Sequence, residues 1–373
     1  MKKDEDGKED VGMTESISQL TLPVALQFQT DILPGVSRTF ALTIPRLPKG
    51  LRESVTNAYL LCRIADTIED EVAFDQTVVS AYQAEFLDIL HGRGDAKPFA
   101  QRVAGALTDS TIEAERELMV NADKVIEVFV SLPAGQRSAI QRCVERMCLE
   151  MPEFQHHGKL GLDTVRDLDR YCYVVAGVVG EMLTDLFCDH SADVAANRDK
   201  MLALAASFGQ GLQLTNILKD VWEDLDRETC WLPSDVFRRS GYDLQKIAPD
   251  FDRGHFADAL QQLIGITHGH LRNALNYTLF IPKSEPGIRT FCIWCIELAV
   301  LTLQHIRKNP QYRTGEEVKV SKLELFATIA GTRVTIRSNL ASRLLFEGTA
   351  FRLPLAPVGN GYQSDYAQSA LGT

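Results

Sequence analysis

Two groups of oxygen-bearing side chains in this sequence are spaced for metal chemistry. The first is Asp66-Thr67-Ile68-Glu69-Asp70, set in the apolar-periodic stretch from Asn57 to Glu71. At about 100° per residue of helix, Asp66 and Asp70 share a face one turn apart, with Glu69 beside them and Arg63 one turn earlier. The second is Gln213, Asn216, Asp220 and Asp224, whose spacings of three, four and four make one narrow helical stripe. Carboxylates one turn apart repel unless a cation sits with them. Mg²⁺ suits such pairs, because it takes oxygen ligands and is commonly held by one or two carboxylates together with substrate phosphate oxygens. Either motif alone reads more readily as an ordinary solvated helix face. Two of them, each flanked by apolar sequence, point carboxylates inward, where unpaired charge is costly. Mg²⁺ bridging a diphosphate stabilises it as a leaving group, which permits ionisation to an allylic carbocation and so prenyl transfer.

The elements that must carry these side chains are helices. Between Leu51 and Leu345 apolar residues recur at three- and four-residue intervals, and hairpin signals are nearly absent. This predicts an all-α, single-domain bundle whose long helices pack around a central cavity fit for a large apolar ligand. Gly and Pro mark its breaks at 45–50, 91–98, 132–135, 158–161, 232–241 and 281–287. The 373 residues with 45% hydrophobic content suffice for a large core. A net charge of −11 excludes a nucleic-acid partner, which needs clustered Lys and Arg. Residues 1–20 read as a disordered charged tail without the apolar core of a signal peptide, 21–349 as the catalytic domain, and 350–373 as a loosely ordered tail. The expected compartment is the cytoplasm.

The eight cysteines are scattered through apolar stretches and read as reduced core thiols, the lone Cys292-x-x-Cys295 included. His156, His157, His268 and His270 sit among polar residues and are expected in solvent. The longest apolar run, Phe291 to Leu303, is shorter than a membrane span and contains Glu297, so it reads as a buried core helix, with no transmembrane anchor.

Further blocks stand in fixed order with the two acidic motifs: Ser37-Arg38-Thr39-Phe40, Tyr171-Cys172-Tyr173-Val174-Val175-Ala176-Gly177-Val178-Val179-Gly180, and Phe291-Cys292. With them the chain resembles the squalene/phytoene synthase family of head-to-head prenyltransferases over roughly residues 28 to 335. The resemblance implies an isoprenoid synthase fold in which Asp66, Glu69, Asp70, Asn216, Asp220 and Asp224 hold Mg²⁺. It implies diphosphate and prenyl contacts from Ser37, Arg38, Phe40, Tyr59, Arg63, Val175, Gly180, Gln213 and Phe291. Guanidinium groups suit that role through bidentate hydrogen bonds to phosphate. Tyr171 becomes a catalytic residue by the same resemblance, although from sequence it reads equally as a boundary tyrosine with its hydroxyl in water. Gly177 and Gly180 would let a helix or a flat prenyl chain come close.

Asp-Thr-x-Glu-Asp, Phe291-Cys292 and the segment Val318-Lys319-Val320-Ser321-Lys322 favour the branch that condenses two farnesyl diphosphates to presqualene diphosphate and reduces it with NADPH to squalene. Asn216, Lys319 and Lys322 are then NADPH candidates, with a solvated lysine pair as the alternative. A non-reducing member making phytoene or dehydrosqualene, and an inactive relative acting in binding or assembly, are the other readings. Lys219 and Thr229 depart from the arginines usual in relatives, with Arg227 nearby, and lysine lacks the bidentate fork. A hydrocarbon product implies weak peripheral membrane contact; the oligomeric state is left open.

Overall fold

The apolar periodicity resolves into helices. The computed structural model describes residues 6–154, 161–247 and 253–361, and among these extended pairing is confined to one bridge between Leu162 and Pro233. The chain divides into two compact units, Met1–Ile44 with Lys49–Cys148, and Pro45–Pro48 with Leu149–Thr373.

The first unit is built from α1 (Asp6–Val36), α2 (Arg38–Thr43), α3 (Leu51–Asp70), α4 (Gln76–Leu90), α5 (Ala96–Ala106), α6 (Glu113–Val120), α7 (Ala122–Ser131) and most of α8 (Ala134–Glu150). Helix α3 is its axis, packed on α1, α4, α6 and α7 through Val55, Ala58, Leu61, Ile64, Ala65 and Ile68. Gly50 opens it in the left-handed region, φ 82°, at the expected Pro/Gly break. Buried Asn57 locks it to its neighbours, donating to the Val125 carbonyl at 2.7 Å and to Gln29 Oε1 at 3.2 Å. Of the segment 1–20 read as a tail, residues 6–20 are the first turns of α1 and residues 1–5 lie outside the described residues. Extending a helix already docked by its later turns costs little, since nucleation is the unfavourable step.

The second unit holds α9 (Val165–Cys172), a π-helical turn (Tyr173–Gly177), α10 (Val178–His190), α11 (Ala192–Ala195), α12 (Arg198–Lys219), α13 (Val221–Asp226), α14 (Ser234–Arg239), α15 (Arg253–Phe280), α16 (Pro286–Lys308), α17 (Lys322–Thr335) and α18 (Asn339–Thr349). Helix α12 is the centre, packed on α10, α15 and α16. Glycines set its contacts: a Cβ on Gly180 would stand 2.0 Å from the Ala205 carbonyl oxygen, and one on Gly209 1.9 Å from that of Ala176. The expected close approach at Gly180 is therefore backbone against backbone, which only a residue without a side chain allows.

Several expectations change. Helix α16 runs from Pro286 to Lys308, longer than the apolar run at its middle. It and the Val165–His190 segment are long and apolar enough to cross a bilayer by length and composition, but their most apolar windows are 72% and 67% buried inside the fold. His268 and His270 are buried, not solvated: His268 Nδ1 is 2.8 Å from the Pro354 carbonyl and His270 Nδ1 is 2.8 Å from Ser207 Oγ. Their polar sequence neighbours lie on α15 where the segment 350–361 covers it. That segment, expected to be loose, is tied down by Ala356 N donating to Gly265 O at 3.0 Å and Asn273 Nδ2 donating to Gly359 O at 2.7 Å. His156 and His157 lie outside the described residues. The cysteines are free thiols, all buried except half-buried Cys188.

Two glycine substitutions test this packing. Gly209→Ala drives a methyl into the Ala176 carbonyl and is expected to cost about 3 kcal/mol, the upper part of the overpacking range. Gly105→Ala, in α5 with nothing within 4 Å of the new Cβ, should stabilise by about 0.5–1 kcal/mol. Urea unfolding midpoints of both variants check the sign and size.

Candidate active site

The site residues fall into two sets, one in each unit. In the first, Ser37 caps α2, its Oγ accepting from Phe40 N at 3.0 Å, and the Phe40 ring lies 5.1 Å from that of Tyr59. Arg38 is exposed next to the cap. The Tyr59 hydroxyl donates to the Val36 carbonyl at 2.9 Å and accepts from Arg63 Nη2 at 3.2 Å. Arg63 Nη1 is 3.8 Å from Asp66 Oδ2 and 3.6 Å from Glu115 Oε1. The family-like block 37–40 is thus joined through Tyr59 to the arginine that precedes the acidic motif.

The carboxylates beyond Arg63 are crowded. Asp66 rises to about 7 because burial outweighs the opposing pull of Arg63, with Asp70 and Glu115 adding repulsion. Glu69 rises to about 9, through burial first and then its neighbours Asp70 and Asp66. Glu71, the next acid, behaves in the opposite sense. It leaves the helix and accepts from Thr108 N at 3.0 Å, Thr108 Oγ1 at 2.6 Å, Thr111 Oγ1 at 2.6 Å and Ala73 N at 3.1 Å. Burial alone would raise it, but these donors hold it down at about 2.

In the second unit the stripe Gln213, Asn216, Asp220, Asp224 is not one straight helix. Helix α12 ends at Lys219, and Asp220 bends to φ −102°, ψ 18° before α13. The i to i−4 ladder nevertheless continues, Asp220 N to Asn216 O at 2.8 Å and Asp224 N to Asp220 O at 2.9 Å, so the expected order of ligands is kept. Lys219 Nζ pairs with Asp220 Oδ2 at 2.9 Å. Burial pushes Asp220 up and Lys219 opposes it. Thr229, the other departure, donates its N–H to the Asp224 carbonyl at 2.9 Å.

The turn Gly315–Val318 comes against this bend. Gly315 N donates to Glu223 Oε1 at 2.7 Å, a Cβ on Gly315 would stand 2.8 Å from Asp220 Oδ1, and the Tyr312 hydroxyl donates to the Leu218 carbonyl. This seats the start of the turn, three residues before Val318, against the second acidic motif. Lys319 itself is exposed and holds both Glu316 oxygens at 2.8 Å; Lys322 is exposed at the start of α17.

Tyr171 lies in the last turn of α9, two residues before the π-helical turn, a feature often found at functional sites. It is buried, not wet: its ring stacks on Trp231 at 3.9 Å and 8° and meets Phe154 edge-on at 5.4 Å. Trp231 and Asp224 line one crevice with Ile217, Val221, Cys230 and Leu232, which brings the tyrosine's aromatic stack to the second acidic motif. Val175 is half-buried in the π turn. Phe291 is buried on α16, its ring 6.2 Å from Phe187 and nearly perpendicular to it.

Among the described residues no three His, Cys, Asp or Glu side chains are gathered closely enough to hold a metal ion by themselves. Paired carboxylates of raised pKa, and the buried Glu223 Oε2 that lacks a hydrogen-bond partner, fit instead a dication completed by diphosphate and water oxygens. Glu115, Glu223, Gly315 and Trp231 were missed by the sequence reading. Glu223 alone had a local signal, three residues after Asp220; the others arrive through long-range packing.

The helical fold with these two acidic motifs is that of the isoprenoid synthases. The squalene/phytoene synthase family model matches residues 33–324, and the chain belongs to that family. It is 28% identical over 298 residues to a squalene synthase of Candida albicans, covering 78% of this chain and 64% of that one. In fold it is similar to TcSQS bound to the ligand BPH1237, with a TM-score of 0.72, 22% identity and 88% and 91% of the two chains covered. A ligand-bound dehydrosqualene synthase gives a TM-score of 0.64 at 19% identity, covering 86% and 99%.

Glu71 supplies a prediction for the first motif. Its folded-state pKa lies below the ordinary value, so its stabilisation is full above about pH 4.5 and is lost as pH falls toward 2. Glu71→Gln should cost on the order of 1–3 kcal/mol at pH 7, and the difference from the unsubstituted protein should shrink steadily through that acid window. Chemical denaturation at a series of pH values measures it.

Proposed function

We propose that this chain is a squalene synthase that condenses two farnesyl diphosphates head to head to presqualene diphosphate and reduces that product with NADPH to squalene. The observation that carries the reading is the crowded carboxylate group Asp66, Glu69, Asp70, matched by a second oxygen-ligand series, Asn216, Asp220, Asp224, in a chain of this family. Charge of that kind, held on rigid helices with one nearby guanidinium, is suited to dications that arrive with diphosphate. Mg²⁺ bound there would neutralise the leaving diphosphate. Asp66 and Asp70 would hold it in the first unit, Asn216, Asp220 and Asp224 in the second.

The protein side chains then have separate tasks. Arg63, oriented by Tyr59, offers diphosphate a guanidinium whose present partners are carboxylates. Lys219 would exchange Asp220 for phosphate oxygen when a cation takes that carboxylate. The stacked faces of Tyr171 and Trp231 suit a prenyl cation, and the Tyr171 hydroxyl can accept or return a proton as the cyclopropane closes. Phe291, fixed against Phe187, would present an apolar wall to the prenyl chain. Lys319 and Lys322, which follow the Gly315 turn in sequence, are the candidate contacts for NADPH phosphates. A non-reducing enzyme releasing dehydrosqualene is the second reading, favoured by the closure of Lys319 onto Glu316.

Mass spectrometry of products from purified protein with farnesyl diphosphate and Mg²⁺, with and without NADPH, separates these readings. Squalene should form only with NADPH; dehydrosqualene in both mixtures would replace the first reading by the second.

Asp66→Ala and Asp220→Ala should each abolish presqualene diphosphate formation while leaving stability within a few tenths of a kcal/mol or slightly higher, since a repelling carboxylate is removed. Wild-type turnover in either variant refutes its assignment as a metal ligand. Tyr171→Phe keeps the ring stack and removes only the hydroxyl. A proton-transfer role predicts a kcat lower by roughly 10²- to 10⁴-fold with KM little changed. An unchanged kcat would take the hydroxyl out of the mechanism.

A further inference from the structure

Helix α17 is amphipathic in the reverse sense. It buries Thr328 and Thr332, while Leu323, Phe326 and Val334 stand 79%, 67% and 84% exposed. At about 100° per residue these three fall on one stripe, and exposed Arg333 and Arg337 border it. Helix α18, packed beside it, buries Ser342 and Phe346 but leaves Leu340 and Leu344 exposed next to Arg343. Phe351 follows, 66% exposed, with the Arg352 guanidinium carbon 5.1 Å from its ring.

The fold holds this surface in place. Fully buried Arg289 donates to the Ile336 carbonyl at 2.8 Å and to Asn339 Oδ1 at 3.0 Å, pinning the corner between the two helices. Gln304 donates to the carbonyls of Thr349 and Phe351, both at 2.8 Å. Large apolar side chains clustered on an anchored surface mark an interaction site.

Charge identifies the partner. From Lys322 to Leu355 the sequence carries five Lys and Arg against two Glu, in a chain whose net charge is −11. Both glutamates are engaged, Glu324 by Ser321 and His305, and Glu347 by Arg272. A second copy of this chain would bring two positive rims together. A surface that is anionic outside and apolar beneath satisfies both features, and that is a bilayer containing acidic lipids.

We propose that the outward face of α17 and α18, continued by Phe351, docks on an anionic lipid bilayer. The proposal rests on this surface and not on the chemistry above, so either can fail without the other. The test is flotation of the full chain with phosphatidylcholine vesicles, with and without phosphatidylglycerol, at low and high salt. Binding should require the acidic lipid and weaken with salt. The pair Arg333→Gln/Arg337→Gln should lower partitioning about 30-fold. Phe326→Glu/Val334→Glu, or Leu344→Glu as an independent change on the other helix, should lower it at least about tenfold while thermal melts and prenyl transfer stay as in the unsubstituted protein. No binding, equal binding to neutral vesicles, or binding indifferent to these substitutions overturns the proposal. So does sedimentation showing a dimer that Phe326→Glu/Val334→Glu converts to monomer, since the face would then be a contact between copies.

Discussion

Like charge held at close range on a packed helix is the constraint around which the first unit is arranged. Asp66 and Asp70 are one turn apart, with Glu69 beside them, on a helix whose other faces are core. In water such a pair costs a few tenths of a kcal/mol; here burial is the larger effect and like charge adds to it, so that Asp66 is drawn up to about 7 and Glu69 to about 9. Arg63 compensates in part and is shared between Asp66 and Glu115. The fold takes Glu71 out of the competition by giving that carboxylate four donors of its own. What is left is a set of close-set acids on one helix, an arrangement that binding of dications and diphosphate would relieve.

The second unit solves a different problem, seating a glycine turn against the bend in its acidic stripe. Glycines let α12 touch its neighbours backbone to backbone, which fixes the helix, and the bend at Asp220 turns its acidic end toward Gly315. Because Gly315 lacks a side chain, the turn can donate its N–H to Glu223 and lie against Asp220. The adjoining Trp231 carries Tyr171 in a face-to-face stack. The acidic stripe, an aromatic wall and the Gly315 turn thereby meet within one unit.

Much of this was legible in the sequence because helical period and chain punctuation are local. Spacings of four put Asp66 with Asp70 and Asp220 with Asp224, and the Pro/Gly clusters at 45–50, 91–98 and 281–287 each span a helix boundary, before α3, α5 and α16. The bend at Asp220 was hidden, since its hydrogen-bond ladder continues through it and no Gly or Pro marks it. His268 and His270 were misjudged because polar sequence neighbours say nothing about the segment 350–361 that covers them. Glu115 and Trp231 reach their partners only by tertiary packing, and no spacing rule points to them. The reversed faces of α17 were likewise invisible: its apolar residues fit a helix, but periodicity does not say which side of a helix meets solvent.

The central claim, that these carboxylates hold diphosphate through a divalent cation, is tested most directly by thermal unfolding with a non-ionising thio-diphosphate analogue of the farnesyl substrate. Mg²⁺ and analogue together should raise Tm well beyond the sum of their separate effects, because a ligand that binds only the folded state stabilises it in proportion to the logarithm of its excess over Kd. That joint rise should vanish in both Asp66→Asn and Asp220→Asn. A rise of the same size without Mg²⁺, or one that survives in both variants, would contradict the account.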